Sequence, residues 1–485
     1  MRKQAGRTRP SRLRSAAWLL GSLVLIGIAA LAAAAWFLQA RGIAPRALGP
    51  YLAKRSAGHN PAIVATGTWL QQTLTRLDRG ALVPAPLPAL VAGVQPKARA
   101  AGPGTRRLVA SSDELRQTMS TAQPGDLITL LPGVYRFDSG VAASRAGSAD
   151  APVTVRAEQP GSVRIEFATV EGFAVSAPWW RFENLAIRGV CADHDGCEHA
   201  FHVSGGAHHF AALNNTIADF NAHFKINGNG GIFPDHGLIE SNTLTNGAPR
   251  RTGHPVTPID LVAASDWIVR GNLITDFIKD GGDGVSYGAF AKGAGARTLF
   301  ERNVIVCEQR LQGLSGQRVG LSFGGGATGK PYCRDGRCIT EQDGGTMRAN
   351  LVAACSDVGI YLNSAAGSTV ADNTLVDTAG VLVRFPASSA TLDGNLVDGA
   401  IVSRDGGLVR EGDNLTASIA AAYAGYHGVR SLFGEAEAFD FGWRQAPQRA
   451  GSTGSGVDLC APARPKPAVY GAFEDFRACL RRQAL

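Results

Sequence analysis

The sequence predicts an all-β fold, a right-handed parallel β-helix, over residues 107–410. Three observations predict it. An asparagine followed by apolar residues recurs eight times, at Asn184, Asn215, Asn242, Asn272, Asn303, Asn350, Asn373 and Asn395. The spacings are 31, 27, 30, 31, 47, 23 and 22 residues, as expected of a repeated coil of about 22 residues with loop insertions. A second short run, at 201–204, 224–227, 259–262, 289–292, 321–324, 360–363 and 381–384, is apolar at alternate positions, which marks a strand with one buried face. The chain also carries 60 glycines and only 7% aromatics among its 485 residues, a composition of tight turns. Equivalent strands stacked in parallel from coil to coil make a solenoid, and parallel crossovers are right-handed. Asparagine at a fixed turn suits the left-handed backbone region and a side-chain ladder.

The elements follow in order. Arg2, Lys3, Arg7, Arg9, Arg12 and Arg14 lie in a tail, 1–15, that contains no acid and supplies much of the net charge of +8. The 23 uncharged residues 16–38 would cross a hydrocarbon core of about 30 Å as a helix. Flanking arginines put the N-terminus in the cytoplasm. The expectation is a single-pass anchor in a bacterial inner membrane with the body periplasmic. The competing reading is a signal segment cut near 32–35, which would release the body. The tail reads as a topology signal, so no nucleic-acid partner is expected.

Residues 39–106 form a juxtamembrane segment. Ile63, Trp69, Leu70, Leu74 and Leu77 recur at helical spacing over 62–77, and 81–106 is a Pro-, Ala- and Gly-rich linker. Past Arg107, Ser111 or Ser112 caps a helix that turns Leu115 and Met119 inward, followed by a first strand within 124–135. Such a helix covers the open first rung of a solenoid. Residues 411–485, where the repeat fades, form a C-terminal cap and tail.

Eight cysteines fall as Cys191 with Cys197, Cys333 with Cys338 and Cys460 with Cys479, leaving Cys307 and Cys355 for each other. The even count suits disulfides in an oxidising compartment, with connectivity open. Neither close pair has CxxC spacing, which argues against zinc.

Alternation along the second strands turns Phe201, Val203, Phe224, Ile226, Ile259, Leu261, Ala289, Ala291, Leu321, Phe323, Ile360 and Leu362 inward. Outward stand His202, Ser204, Lys225, Asn227, Asp260, Lys292, Ser322, Tyr361 and Asn363. Lys225, Asp260 and Lys292 would then form a ladder spanning about 10 Å, the scale of one or two sugars. Uronate cleavage by β-elimination needs a neutralised carboxylate, a base for the α-proton and an acid for the leaving oxygen. Lys292 is the candidate base and Lys225 or Arg318 the neutraliser, with Asp260 between them. His202 and Tyr361 are candidate proton donors, and Asn227 and Asn363 candidate substrate contacts. The bland reading of the same face is a cross-strand salt bridge on a polar solenoid surface. Asp280 and Asp283 in a glycine turn are candidate calcium ligands, against a plain turn. His194, His199, His202, His208 and His209 cluster with Asp193, Asp195 and Glu198, at spacings that match no firm metal motif.

The run Gly125-Asp126-Leu127-Ile128-Thr129-Leu130-Leu131-Pro132-Gly133-Val134-Tyr135, followed by the Asn coils, resembles the pectate-lyase-like β-helix superfamily. Within it, the chain is most similar to the chondroitinase B and alginate lyase group, polysaccharide lyase family 6. The resemblance implies a catalytic lysine on a strand before an Asn turn, which Lys292 ahead of Asn303 matches. It also implies a Glu-x-Glu calcium pair upstream, where this chain reads Gly284-Val285-Ser286-Tyr287, leaving Asp280 and Asp283 as distant substitutes. An arginine is implied on the next rung; the strand 319–325 lacks one, and Arg318 lies just before it. The expected function is binding, with or without cleavage, of an anionic polysaccharide. The rival is a non-catalytic scaffold for envelope polysaccharide or protein.

Overall fold

The structure, a computed structural model, describes residues 12–80, 86–87, 104–325, 328–449, 456–461, 463–464 and 467–481. Most of the expected basic tail and most of the linker at 81–106 lie outside the described residues.

From Arg106 to Thr416 the strands stack in three parallel sheets of 12, 10 and 11 strands. The ten-stranded sheet contains the second strands expected from alternation, among them His199–Ser204, Ala222–Asn227, Ile259–Val262, Val285–Lys292 and Gln317–Phe323. The eleven-stranded sheet carries the residues after each asparagine. The twelve-stranded sheet, beyond its strand Leu127–Leu130 within the expected 124–135, is the one the sequence reading lacked. Its central strands, such as Ala211–Leu213, Leu238–Glu240 and Ile268–Arg270, are three residues long, too short to display a period of two. All twelve residues expected inside from the second strands are at most 1% exposed. Aromatic rings stack from coil to coil within this core, as at Phe201 and Phe224, 5.2 Å apart.

The asparagine ladder is present and differs in two details. It runs from Asn215 through Asn242, Asn272, Asn303, Asn350, Asn373 and Asn395 to Asn414, each amide Nδ2 donating to the next Oδ1 at 2.8–3.0 Å. Asn184 is not a rung: Leu185 holds that position, its N–H donating to Asn215 Oδ1. Nor does the left-handed backbone fall on the ladder residues. It falls one residue earlier, at Asn214, Ser241, Gly271, Arg302, Ala349, Asp372 and Gly394. The turn is made by the corner residue before it, which leaves the asparagine amide free to point inward and meet its neighbours.

The N-terminal cap is as expected. Ser111 Oγ accepts from Glu114 N, and Leu115 and Met119 are fully buried. A helix α1 (Arg12–Arg41) precedes it, and its Gly21–Arg41 portion is long and apolar enough to cross a membrane. The four disulfides join Cys191–Cys197, Cys307–Cys355, Cys333–Cys338 and Cys460–Cys479.

Two segments depart from expectation. The juxtamembrane segment holds two helices, α2 (Pro45–Ser56) and α3 (Pro61–Arg79), packed as a hairpin. Its base is fastened to the coils by a buried network. Arg46 bonds Asp78, Asp377 and the Cys355 carbonyl, and Arg79 bonds Asp377 and Glu308. Arg318 pairs with Glu308 and Arg430 with Asp398, so four cations meet four carboxylates. Burial alone would raise Asp377, but the guanidiniums of Arg79, Arg46 and Arg430 outweigh it and hold its carboxyl down at about 2. The C-terminal segment packs Ile419 and Tyr423 on Ala400 and Val402 of the last strand of the ten-stranded sheet, and its remainder turns back along the coils. Phe433, Phe441, Phe473 and Phe476 lie along the flank of the eleven-stranded sheet, over Val304, Val306, Leu351 and Val376. Those outward positions are apolar and require a cover.

Candidate functional site

Three adjacent strands of the ten-stranded sheet, Ala222–Asn227, Ile259–Val262 and Val285–Lys292, form the floor of a cleft. Strand alternation turns Lys225, Asn227, Asp260, Val262 and Lys292 outward into it. Lys225 and Asp260 are in register, and the ammonium donates to Asp260 Oδ2 at 2.8 Å. The carboxylate is nearly inaccessible, and its Oδ1 has no hydrogen-bond partner.

Lys292 does not continue this ladder. The register sets Phe290 across from Asp260 and Lys292 across from Val262. Phe290 takes that place, an outward ring that packs against Val262, Ala263, Phe233 and Tyr287. Lys292 Nζ lies 4.5 Å from the centroid of that ring and donates to Gly325 O at 3.3 Å. Among the described residues it makes no ion pair. Burial pushes its ammonium below the usual lysine value; Asp260 pulls it back up and Lys225 pushes it further down.

The walls come from loops. One is the insertion in the 47-residue Asn303–Asn350 gap, closed by Cys333–Cys338, which brings Thr328, Pro331, Tyr332 and Arg334 over the floor. The other is the turn with Gly228, Gly230, Gly231 and Phe233. Arg334 ties the two together. Its guanidinium takes both oxygens of Asp235 at 2.7 and 2.8 Å and lies 4.4 Å over the Phe233 ring. Glu341 fixes the loop stem by accepting from Gly293 N, Thr328 N and Thr328 Oγ1. The enclosed volume is about 530 Å³, the size of a small-molecule or oligosaccharide site. The sequence signals for these walls were the long Asn spacing and the cysteine pair inside it. Neither reveals that the loop folds back over this face.

The first coils, residues 109–189, match the family model described as chondroitinase B. No functionally curated protein matches the sequence. Among solved structures, the chain is similar to pectate lyase Pel9A, at 14% identity, covering 74% of this chain and 90% of that one with a TM-score of 0.48. It is similar to alginate lyase from Paenibacillus sp. str. FPU-7, at 14% identity, 64% and 95% coverage and a TM-score of 0.37. It is also similar to the PL6 family alginate lyase AlyGC, at 13% identity, 77% and 57% coverage and a TM-score of 0.37. The body is a right-handed parallel β-helix.

On this β-helix the sequence-derived candidates divide. Lys225, Asp260, Lys292 and Asn227 meet in the cleft. His202 stands at its edge, with Nδ1 2.8 Å from Glu171 Oε1 and Nε2 2.8 Å from Asn227 Oδ1. Next to it, burial, with Lys225 and His202 close by, pulls the His199 imidazole down to about 3.

Arg318 is not in the cleft. It is fully buried against Glu308 on the opposite end of its strand and belongs to the network beneath the α2–α3 hairpin. Tyr361 and Asn363 lie two strands beyond Lys292's strand. Tyr361 is buried among Val319, Val358 and Tyr287, and Asn363 is in register with Arg384. Asp283 Oδ1 accepts from Lys279 Nζ at 2.7 Å and from Val285 N at 3.1 Å, which makes it a turn cap with its charge already met. Asp280 and Asp283 join no cluster of three metal-ligating groups among the described residues. The cluster found is Cys333, Asp335 and Cys338, whose two sulfurs are bonded to each other. The His-rich region forms none either; His209 stacks between Trp179 and His236 instead.

Proposed function

We propose that this chain binds an anionic, uronate-type polysaccharide in the Lys225–Asp260–Lys292 cleft and cleaves it by β-elimination. We further propose that it does so while anchored by α1 in the inner membrane, N-terminus in the cytoplasm and body in the periplasm. The observation that carries the reading is the unequal pair of lysines on one rigid floor. Lys225 is neutralised by Asp260, whereas Lys292 has no carboxylate partner among the described residues and burial disfavours its charge. A lysine whose charge is disfavoured by burial gives up its proton more readily than an ordinary lysine, as a general base must.

In the proposed reaction Lys292 Nζ takes the proton α to the substrate carboxylate. The electron pair forms the carbon–carbon double bond as the glycosidic C–O bond breaks. The ammonium so formed returns its proton to the leaving oxygen. Lys225 faces the substrate carboxylate and stabilises the charge that develops on it. Phe233 and Tyr332 on the walls offer faces for sugar rings. A second reading, binding without cleavage, is favoured by the Lys225–Asp260 contact, because a lysine already paired gives up part of its attraction for a substrate anion.

The deciding experiment incubates the full chain in detergent with a panel of uronate polymers and follows the ultraviolet absorbance of unsaturated products. Product formation that disappears in Lys292→Ala supports the lyase reading. Polymer bound without product selects the binding reading, and neither binding nor product overturns both.

A further inference from the structure

We infer that the α2–α3 hairpin is a second membrane contact, seated in the headgroup layer of anionic phospholipid beside the point where α1 leaves the bilayer. The inference rests on the anchor reading of α1.

The exit point of α1 is fixed to the body. In its last turns Arg41 lies over the Phe37 ring at 5.6 Å. Gln39 Oε1 accepts from Ala420 N at 3.2 Å and from Ser418 Oγ at 3.4 Å. Two residues after α1, Ile43 O accepts from the Tyr423 hydroxyl at 2.9 Å. The helix α2 then starts at Pro45, so little slack separates the membrane from the hairpin.

The hairpin has two ends of opposite character. Its base is buried by Arg46, Asp78 and Arg79 against the coils. Its distal half is bare: Trp69 is 60% exposed, Tyr51 53% and Ile63 45%. Between these side chains stand exposed Lys54 and Arg55, and Arg55 lies 5.4 Å over the Tyr51 ring. No aspartate or glutamate precedes Asp78 anywhere in the chain, and Asp78 is buried against Arg46. The exposed hairpin therefore carries cations, aromatic rings and branched apolar groups with no carboxylate among them. A face that stays in water mixes both signs of charge. Tyrosine and tryptophan settle at the headgroup level, and lysine and arginine are drawn to anionic lipid phosphates. Tyr426, 64% exposed, precedes His427, whose Nε2 lies 2.9 Å from Leu77 O of α3, and adds an aromatic ring beside the hairpin.

A hairpin seated this way holds the body against the membrane instead of letting it swing. The last strand of the cleft's sheet, Ala400–Arg404, packs on Ala44 next to the exit point. Lys292's strand is four steps along that sheet, or about 19 Å of stacked strands. The cleft then meets its substrate at a set distance from that anchored end.

The test uses the full chain in nanodiscs of phosphatidylcholine, with or without phosphatidylglycerol, and in detergent. Hydrogen exchange is measured over residues 49–69. Exchange at least fivefold slower in the phosphatidylglycerol discs, and restored to the detergent rate by Lys54→Glu with Arg55→Glu, supports the contact. Equal rates in all three settings overturn it, as does slowing that ignores both lipid charge and the double substitution. Quenching by brominated lipid, read as the difference between wild type and Trp36→Phe, reports α1 independently. A quenched Trp36 with an unprotected hairpin removes this inference and leaves the anchor. An unquenched Trp36 removes the anchor as well.

Discussion

Lys225 and Asp260 occupy facing positions on adjacent strands, 2.8 Å apart, with the carboxylate the more deeply buried of the two at 4% side-chain exposure against 24%. That asymmetry sets what each substitution does. Lys225→Met strands a buried carboxylate and should cost about 2 kcal/mol at pH 7. Thermal unfolding at pH 7 checks this. Lys225→Met with Asp260→Leu should recover most of the loss.

Lys292 acts by a different property, its readiness to lose a proton. Lys292→Arg should be as inactive on a cleaved polymer as Lys292→Ala, because a guanidinium keeps its proton. In the wild type, activity should fall as pH drops through a lysine pKa lying below the ordinary value. Stability moves the same way. The unfolded chain binds the proton more tightly, so folding gains as pH rises between the lowered folded pKa and the unfolded one. A pH–rate profile and a denaturant titration across the alkaline range measure the two effects.

The asparagine ladder should be cooperative with the fold. Asn303 gives its amide to Val269 O and Asn350 Oδ1 and accepts from both nitrogens of Asn272. Asn303→Ala strands several of these buried groups and should cost about 2–4 kcal/mol. Asn184→Ala, half-buried and one residue out of the ladder, should cost under about 1.5 kcal/mol. Urea midpoints of the two variants test the contrast.

Asp377 lies between Arg46, Arg79 and Arg430. Asp377→Asn should cost about 3 kcal/mol, since three arginines lose their shared counter-charge. The wild-type carboxyl titrates at about 2 when folded and near 3.9 unfolded. Its contribution is complete above the unfolded value and is lost as pH falls through the folded one. Hydrogen exchange in α2 and α3 should therefore stay slow at pH 4 and quicken toward pH 2.

The coil body was legible in the sequence because its signals are local and repeated. The asparagine spacing, the alternation in the second strands and the cap at Ser111 each follow from a period or a short motif. The central strands of the twelve-stranded sheet escaped because three residues carry no period. The flank position of the C-terminal segment escaped because a cover is defined by the apolar residues beneath it, Val304 and Val306, which lie far away in sequence. For the site, alternation correctly turned Lys225, Asp260 and Lys292 outward, since side-chain direction is a property of each strand alone.

Register and loop path are not properties of single strands. Phe290 rather than Lys292 faces Asp260, because neighbouring coils align their cores. Arg318 is consumed by Glu308, a partner ten residues away in sequence that meets it in the folded flank. The cleft exists because Arg334 reaches back 99 positions to Asp235 and closes a wall over the lysines. Composition and period thus specified a polar-faced solenoid with an apolar N-terminal helix. Which polar residues share a site was left to the stacking of coils and the return of one loop, since pairing energies act between groups that only the folded chain brings together.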